Sequence, residues 1–178
     1  MLRKIFFLLF LLFSISASAQ KLGNRFFVKF SDGSQYDMPL AGAIFRKDSS
    51  FTLLGNLKGE INHALQVQLL FSDKTGTNII KRGYYHFNYK QQNLDYIPGE
   101  SFGYRLKGYF IQQKDGVTMQ EWITENDPLK GFVEIEAISD TRVKGRFSFE
   151  LVQRFPSKGS KILAEGNFDL KITTLEPK

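Results

Sequence analysis

The sequence predicts an all-β protein: an antiparallel meander of nine to ten strands, closed as a barrel or folded as a two-sheet sandwich. Three observations lead there. Apolar and polar residues alternate in runs of about six to ten, Gly- and Asp-bearing turns separate the runs, and helical periodicity is nearly absent. A sheet of that length with one apolar face must close or fold over, because an open sheet would leave the face wet and both edges exposed.

The first segment is not part of that pattern. Arg3 and Lys4 precede an apolar stretch from Ile5 to Phe13, followed by Ala17-Ser18-Ala19. This is the form of a secretory signal peptide, too short for a stable membrane anchor, with cleavage expected before Gln20. The mature chain is then expected to be residues 20–178, a single all-β domain without a transmembrane anchor, periplasmic or secreted.

The elements follow in order. Phe26, Val28 and Phe30 share one face of a strand that stops at Ser31-Asp32-Gly33-Ser34, a hairpin-like turn. Tyr36 to Leu40 contains Pro39, which lacks a ladder donor and points to a sheet edge or a bulge. Ala41-Gly42-Ala43 allows a bend before Ile44-Phe45-Arg46. Phe51, Leu53 and Leu57 share a face of the next strand, and Leu65, Val67, Leu69 and Phe71 a face of the one after.

Ser72 to Gly76 reads as a hairpin turn into Asn78 to Arg82 and the aromatic run Gly83 to Tyr89. Lys90 to Ser101 is the longest connection, with Pro98-Gly99 as a turn. Phe102 to Gln113 and Val117 to Thr124 form a hairpin about Lys114-Asp115-Gly116. After Asn126-Asp127-Pro128, Val133, Ile135 and Ala137 face one way and Glu134 and Glu136 the other. The last two strands carry Phe147, Phe149 and Leu151, then Phe168, Leu170 and Ile172, about the turn Pro156-Ser157-Lys158-Gly159. Gly145 and Gly166 precede these Phe-rich strands, where a missing Cβ lets a strand bend or admits a neighbouring ring.

Composition narrows the functions. There is no cysteine, which removes disulfides, thiolate metal sites, thiol nucleophiles and the acylated cysteine of a lipoprotein. The whole chain carries a net charge of +6, of which Arg3 and Lys4 belong to the signal, leaving +4. Those cations are scattered rather than gathered into one stripe, so nucleic acid is not an expected partner.

The segments Gly131-Phe132-Val133-Glu134-Ile135, Val143-Lys144-Gly145-Arg146-Phe147-Ser148-Phe149 and Glu165-Gly166-Asn167-Phe168-Asp169-Leu170 resemble the C-terminal pattern of uncharacterised exported β-domain families of Bacteroidota. The Ser-Ala-Gln junction is similar to the signal peptides of that group. The resemblance implies an exported β-domain and supplies no catalytic residues. Many members of those families are lipoproteins, from which this cysteine-free chain departs.

Gly99-Glu100-Ser101-Phe102-Gly103 matches the G-x-S-x-G nucleophile elbow in letters only. A strand follows instead of a helix, and both histidines, His63 and His86, precede the serine. Neither histidine sits in a metal-ligating spacing. Glu134 and Glu136 have a spacing reminiscent of glycosidase carboxyls, but alternation places both on the polar face. No enzyme, cofactor or metal is therefore expected.

What remains is the aromatic cluster. Tyr84, Tyr85, Tyr89, Tyr96, Tyr104 and Trp122 are the candidate ligand-binding residues, gated by the loop from Lys90 to Ser101. If Tyr85, Phe87 and Tyr89 face the core, Tyr84 is an exposed platform. The expected function is an exported, non-enzymatic binding domain for a small apolar ligand or glycan. The alternative is an envelope protein-protein interaction module using an open strand edge near Pro39.

Overall fold

The computed structural model describes residues 23–46, 50–71, 80–86, 104–124 and 131–175, with the backbone alone for residues 69–71, 86, 104 and 105. These residues form eleven strands: β1 (Arg25–Phe30), β2 (Gln35–Asp37), β3 (Leu40–Arg46), β4 (Ser50–Leu57), β5 (Asn62–Phe71), β6 (Gly83–His86), β7 (Tyr104–Lys114), β8 (Val117–Ile123), β9 (Gly131–Ile138), β10 (Arg142–Phe155) and β11 (Lys161–Leu175). Local chemistry sets the turns. Between β1 and β2 the Asp32 carboxylate accepts from the Ser34 amide at 2.8 Å, and Gly33 takes φ +91°. Between β7 and β8, Asp115 and Gly116 both have positive φ, 51° and 78°, as a two-residue hairpin turn of the primed type requires.

All these strands belong to one mixed sheet in the order β2-β1-β11-β3-β4-β5-β7-β8-β10-β9-β6, and β10 also pairs with β11. That extra pairing closes β3, β4, β5, β7, β8, β10 and β11 into a ring. The architecture is all-β, as alternation requires, but it is more than a meander. β11 runs parallel to β3 through Ile172 to Leu175, the one parallel pairing among the described residues. The aromatic strand expected to continue from a hairpin with β5 lies elsewhere: β6 pairs with β9, because β4 and β7 already occupy both edges of β5. Among the described residues the open edges are β2 and β6, three and four residues long, and Pro39 follows the edge strand β2.

The long β10–β11 hairpin holds this together, since each of its strands shares an outer edge between two partners. β11 pairs with β1 from Ala164 to Asp169 and then with β3 from Ile172. β10 pairs with β9 from Val143 to Phe149 and with β8 from Val152. Where β11 passes from β1 to β3, backbone groups would be left without partners. The Asn24 carboxamide fills that gap, accepting from the Lys171 amide at 2.8 Å and donating to the Ala41 carbonyl.

Inward residues form one core. Phe26, Val28, Phe30, Phe51, Leu53, Leu65, Val67, Phe147, Phe149, Phe168 and Leu170 are all 2% exposed or less. Rings from separate strands meet there, Phe30 and Phe110 at 4.6 Å and Phe26 and Phe147 at 5.6 Å between centroids. The β10–β11 register sets Phe147 opposite Gly166 and Phe168 opposite Gly145. Each ring lies where the facing glycine lacks a Cβ. A Cβ on Gly166 would stand 2.6 Å from the Phe147 ring and 2.1 Å from the Phe27 carbonyl; one on Gly145 would stand 2.7 Å from Phe168 and 2.0 Å from the Glu134 carbonyl. The bend expected at these glycines is accompanied by a register shift between Lys144 and Gly145 against β9.

Because backbone oxygens block that space, Gly166→Ala is expected to cost more than about 3 kcal/mol, at the severe end for a single substitution. Gly42 faces open space, with no atom within 4 Å of where a Cβ would stand, so Gly42→Ala should change stability by less than about 1 kcal/mol. Urea unfolding midpoints of the two variants check the contrast.

Candidate functional site

Two concave regions of opposite chemistry lie on the described residues. The first is a cavity of about 470 Å³ at the end of the core where β11 joins β3. Its walls are Phe45 at the end of β3, Phe51 at the start of β4, Ile138 at the end of β9, Ile172 on β11, and Ile80 ahead of β6. Phe45 and Phe51 meet edge to face at 6.2 Å. The inward alternation of β11 continues through Ile172 and Thr174 past the end of its ladder with β10, which stops at Lys171, so these side chains line the cavity instead of packing on a facing strand.

The polar members of the lining are Ser139, Asp140 and Thr174. Ser139 is committed to the β9–β10 turn, its amide donating to the Arg142 carbonyl at 2.8 Å and its hydroxyl accepting from the Arg142 amide at 3.2 Å. Asp140 and Thr174 complete the rim, so one carboxylate stands beside an otherwise apolar space. This arrangement can exclude water from an apolar body and accept a hydrogen bond from its polar end.

The second region is a groove of about 720 Å³ on the outer face of β1, β9, β10 and β11. Phe27 on β1 and Phe132 on β9 border it, and its floor passes over Gly145 and Gly166. Arg146 donates to Glu134 at 2.5 Å and to the Tyr84 hydroxyl at 3.1 Å, with its guanidinium 5.9 Å from the centre of the Phe132 ring. Hydrogen bonding to that guanidinium holds the Glu134 carboxyl below its usual pKa, the direction opposite to that of a general acid. Lys144 lies 3.6 Å from Glu136. Both glutamates are therefore on the polar outer face and beside cations.

Of the candidate aromatic residues, the side chains of Tyr84, Tyr85 and Trp122 are described, and they have different settings. Tyr84 is 44% exposed on the outer face, and its ring packs on Phe132 at 5.5 Å. Tyr85 points into the core, where its hydroxyl accepts from the Lys81 amide at 3.0 Å and donates to the Lys81 carbonyl at 2.9 Å. Trp122 is also a core residue, and its indole donates to Gln120 at 3.2 Å. Tyr104 begins β7 opposite Phe71. Tyr89, Tyr96, the loop from Lys90 to Ser101, the Gly99–Gly103 motif and the signal segment lie outside the described residues.

Comparison with known protein families, with curated proteins and with solved structures returned no match for this chain. Among the described residues there is no cluster of three or more metal-ligating side chains, and no helix long and apolar enough to cross a membrane.

His63 has a structural setting of its own. It points inward from β5, its ring 4.3 Å from Tyr36 and 6.2 Å from Phe110, and its Nδ1 is buried without a hydrogen-bond partner among the described residues. Burial lowers its pKa from 6.5, against a smaller opposing effect of a backbone hydrogen bond with Ile61. A base with a depressed folded pKa contributes no penalty above the unfolded value and resists protonation below it. Stability is therefore expected to fall as pH drops through 6.5. Urea midpoints at about pH 7.5 and about pH 5.5 should show the loss in the parent, and His63→Phe should flatten it.

Proposed function

We propose that this chain is an exported, non-enzymatic binding domain that holds a small apolar ligand in the end cavity between β3, β4, β9 and β11. The carrying observation is the cavity itself, whose volume of about 470 Å³ lies within the usual range for small-molecule sites. Its composition supports the reading. Five apolar side chains, brought from distant parts of the chain, form the walls, and Asp140 and Thr174 stand at the rim. The ligand class that fits is an apolar body with one hydrogen-bond-donating end, a hydroxyl or an amine, directed at Asp140.

This location differs from the aromatic region that the sequence favoured. Tyr85 and Trp122 help build the core instead, while the new walls come from strand ends. Export belongs to the same proposal and rests on the N-terminal segment of cationic, apolar and A-x-A stretches.

The test is native mass spectrometry of protein purified gently from its own host, together with titration of the neutral apolar dye Nile red. A reproducible added mass released by solvent is expected, along with saturable dye binding. Ile172→Trp should fill the cavity and weaken dye binding by about tenfold or more, since a lost apolar contact surface of that size exceeds about 1.4 kcal/mol. A clean apo mass, with dye binding unchanged in a folded Ile172→Trp variant, would sink the proposal.

A further inference from the structure

The outer groove lies on the opposite side of the β10–β11 hairpin from the core, and it calls for a different ligand. Its residues fall in rows across the strands. Pairing register aligns Tyr84, Glu134, Arg146, Asn167 and Phe27 in one row, and Phe132, Ser148, Glu165 and Lys29 in the next. Donors and acceptors alternate along both. Arg146 is bonded to Glu134 and Tyr84, and the Ser148 hydroxyl lies 3.3 Å from Glu165.

Charge decides which polar ligand such a surface suits. The groove is lined by four cations, Arg25, Lys29, Lys144 and Arg146, and three carboxylates, Glu136, Glu165 and Asp169. Adding the bonded partners of lining residues, Glu134 on Arg146 and Arg142 on Asp169, the balance is five cations to four carboxylates. A polyanion would meet nearly as much repulsion as attraction, and binding driven by counterion release needs a clear excess of cations. An apolar ligand would strip water from these charged groups and offer them no hydrogen bond in return. Hydroxyl groups, each both donor and acceptor, match an alternating surface.

The borders of the groove add apolar faces. Phe27 stands half-buried between Arg25 and Lys29 on one side, while Phe132 and the exposed Tyr84 form an aromatic corner on the other. Three strand steps separate β9 from β1, so the two borders lie about 15 Å apart. That span accommodates a short chain of linked sugar rings, whose C–H faces stack on aromatic rings while their hydroxyls reach the polar floor. We propose that the outer face of β1, β9, β10 and β11 binds a neutral oligosaccharide, held between Phe27 and the Tyr84–Phe132 corner over Arg146, Ser148 and Asn167.

The site is independent of the end cavity, and both can be loaded at once.

The test is affinity electrophoresis and calorimetry with cello-, laminari-, manno- and N-acetylglucosamine oligosaccharides, beside polygalacturonate and heparin as polyanions. Saturable binding to at least one neutral oligosaccharide, insensitive to added salt, is expected. Phe27→Ala and Tyr84→Ala should each weaken it by about tenfold, as loss of one aromatic face predicts. Asn167→Trp, which fills the floor without removing an aromatic border, should abolish it, and Ile172→Trp should leave it unchanged. An unaltered urea midpoint confirms that each variant is folded. Failure to bind any neutral oligosaccharide, binding to polyanions alone with loss in salt, or full binding by folded Phe27→Ala and Asn167→Trp would each overturn the proposal.

Discussion

The interlock of Phe147 over Gly166 and Phe168 over Gly145 is the contact on which the rest of the fold depends. A two-stranded ribbon as long as β10–β11 must twist and bend to touch partners at both ends. Two large rings cannot lie flat against a ribbon that carries side chains at the facing positions. Removing those side chains lets the rings cover the opposite backbone and lets β9 and β1 approach as closely as the Glu134 and Phe27 carbonyls do. The hairpin can then accept β1 and β3 along one edge and β9 and β8 along the other.

Closure follows from that shared use of edges. The ring removes edges from seven strands, and among the described residues it leaves β2 and β6 at the edges, of which β2 has only three residues to offer a pairing strand. Sharing an edge has a local cost, since a strand that changes partner exposes backbone groups at the change. Asn24 meets that cost at the β1-to-β3 junction. At the far side, the Thr124 amide donates to the Gly108 carbonyl at 3.0 Å while its hydroxyl accepts from the Gly108 amide at 3.0 Å, extending the β7–β8 pairing past β8. Polar side chains at such seams are structural, although by residue type alone they resemble candidate ligands.

The same hairpin separates two chemistries. Its inner face is Phe, Leu and Val and contributes to the core. Its outer face is a lattice of opposite charges, with Arg142–Asp169 at 2.5 Å, Arg146–Glu134 at 2.5 Å and Lys161–Glu150 at 2.8 Å. Exposed pairs of this kind contribute little to stability individually. Their effect is on recognition, because paired charges give a surface with many hydrogen-bonding groups and little net field.

Alternation in the sequence determined that the protein is all-β, which residues of most strands face inward, and that Tyr84 and Tyr85 lie on opposite faces of one strand. It misplaced Ala137, which the register shift between β9 and β10 leaves exposed opposite Lys144 instead of buried with Val133 and Ile135. It also marked Gly145 and Gly166 as places for a bend or a ring. These properties are local: side-chain direction repeats every two residues whatever the neighbouring strand is. Tertiary structure alone decided which strands are neighbours, because backbone hydrogen bonds are the same for any pair of strands and carry no residue label. That is why β6 pairs with β9 rather than β5, and β11 runs parallel to β3. It is also why the cavity walls passed unnoticed in the chain. Phe45, Ile80, Ile138 and Ile172 read as ordinary strand residues until the fold places their ends around one space.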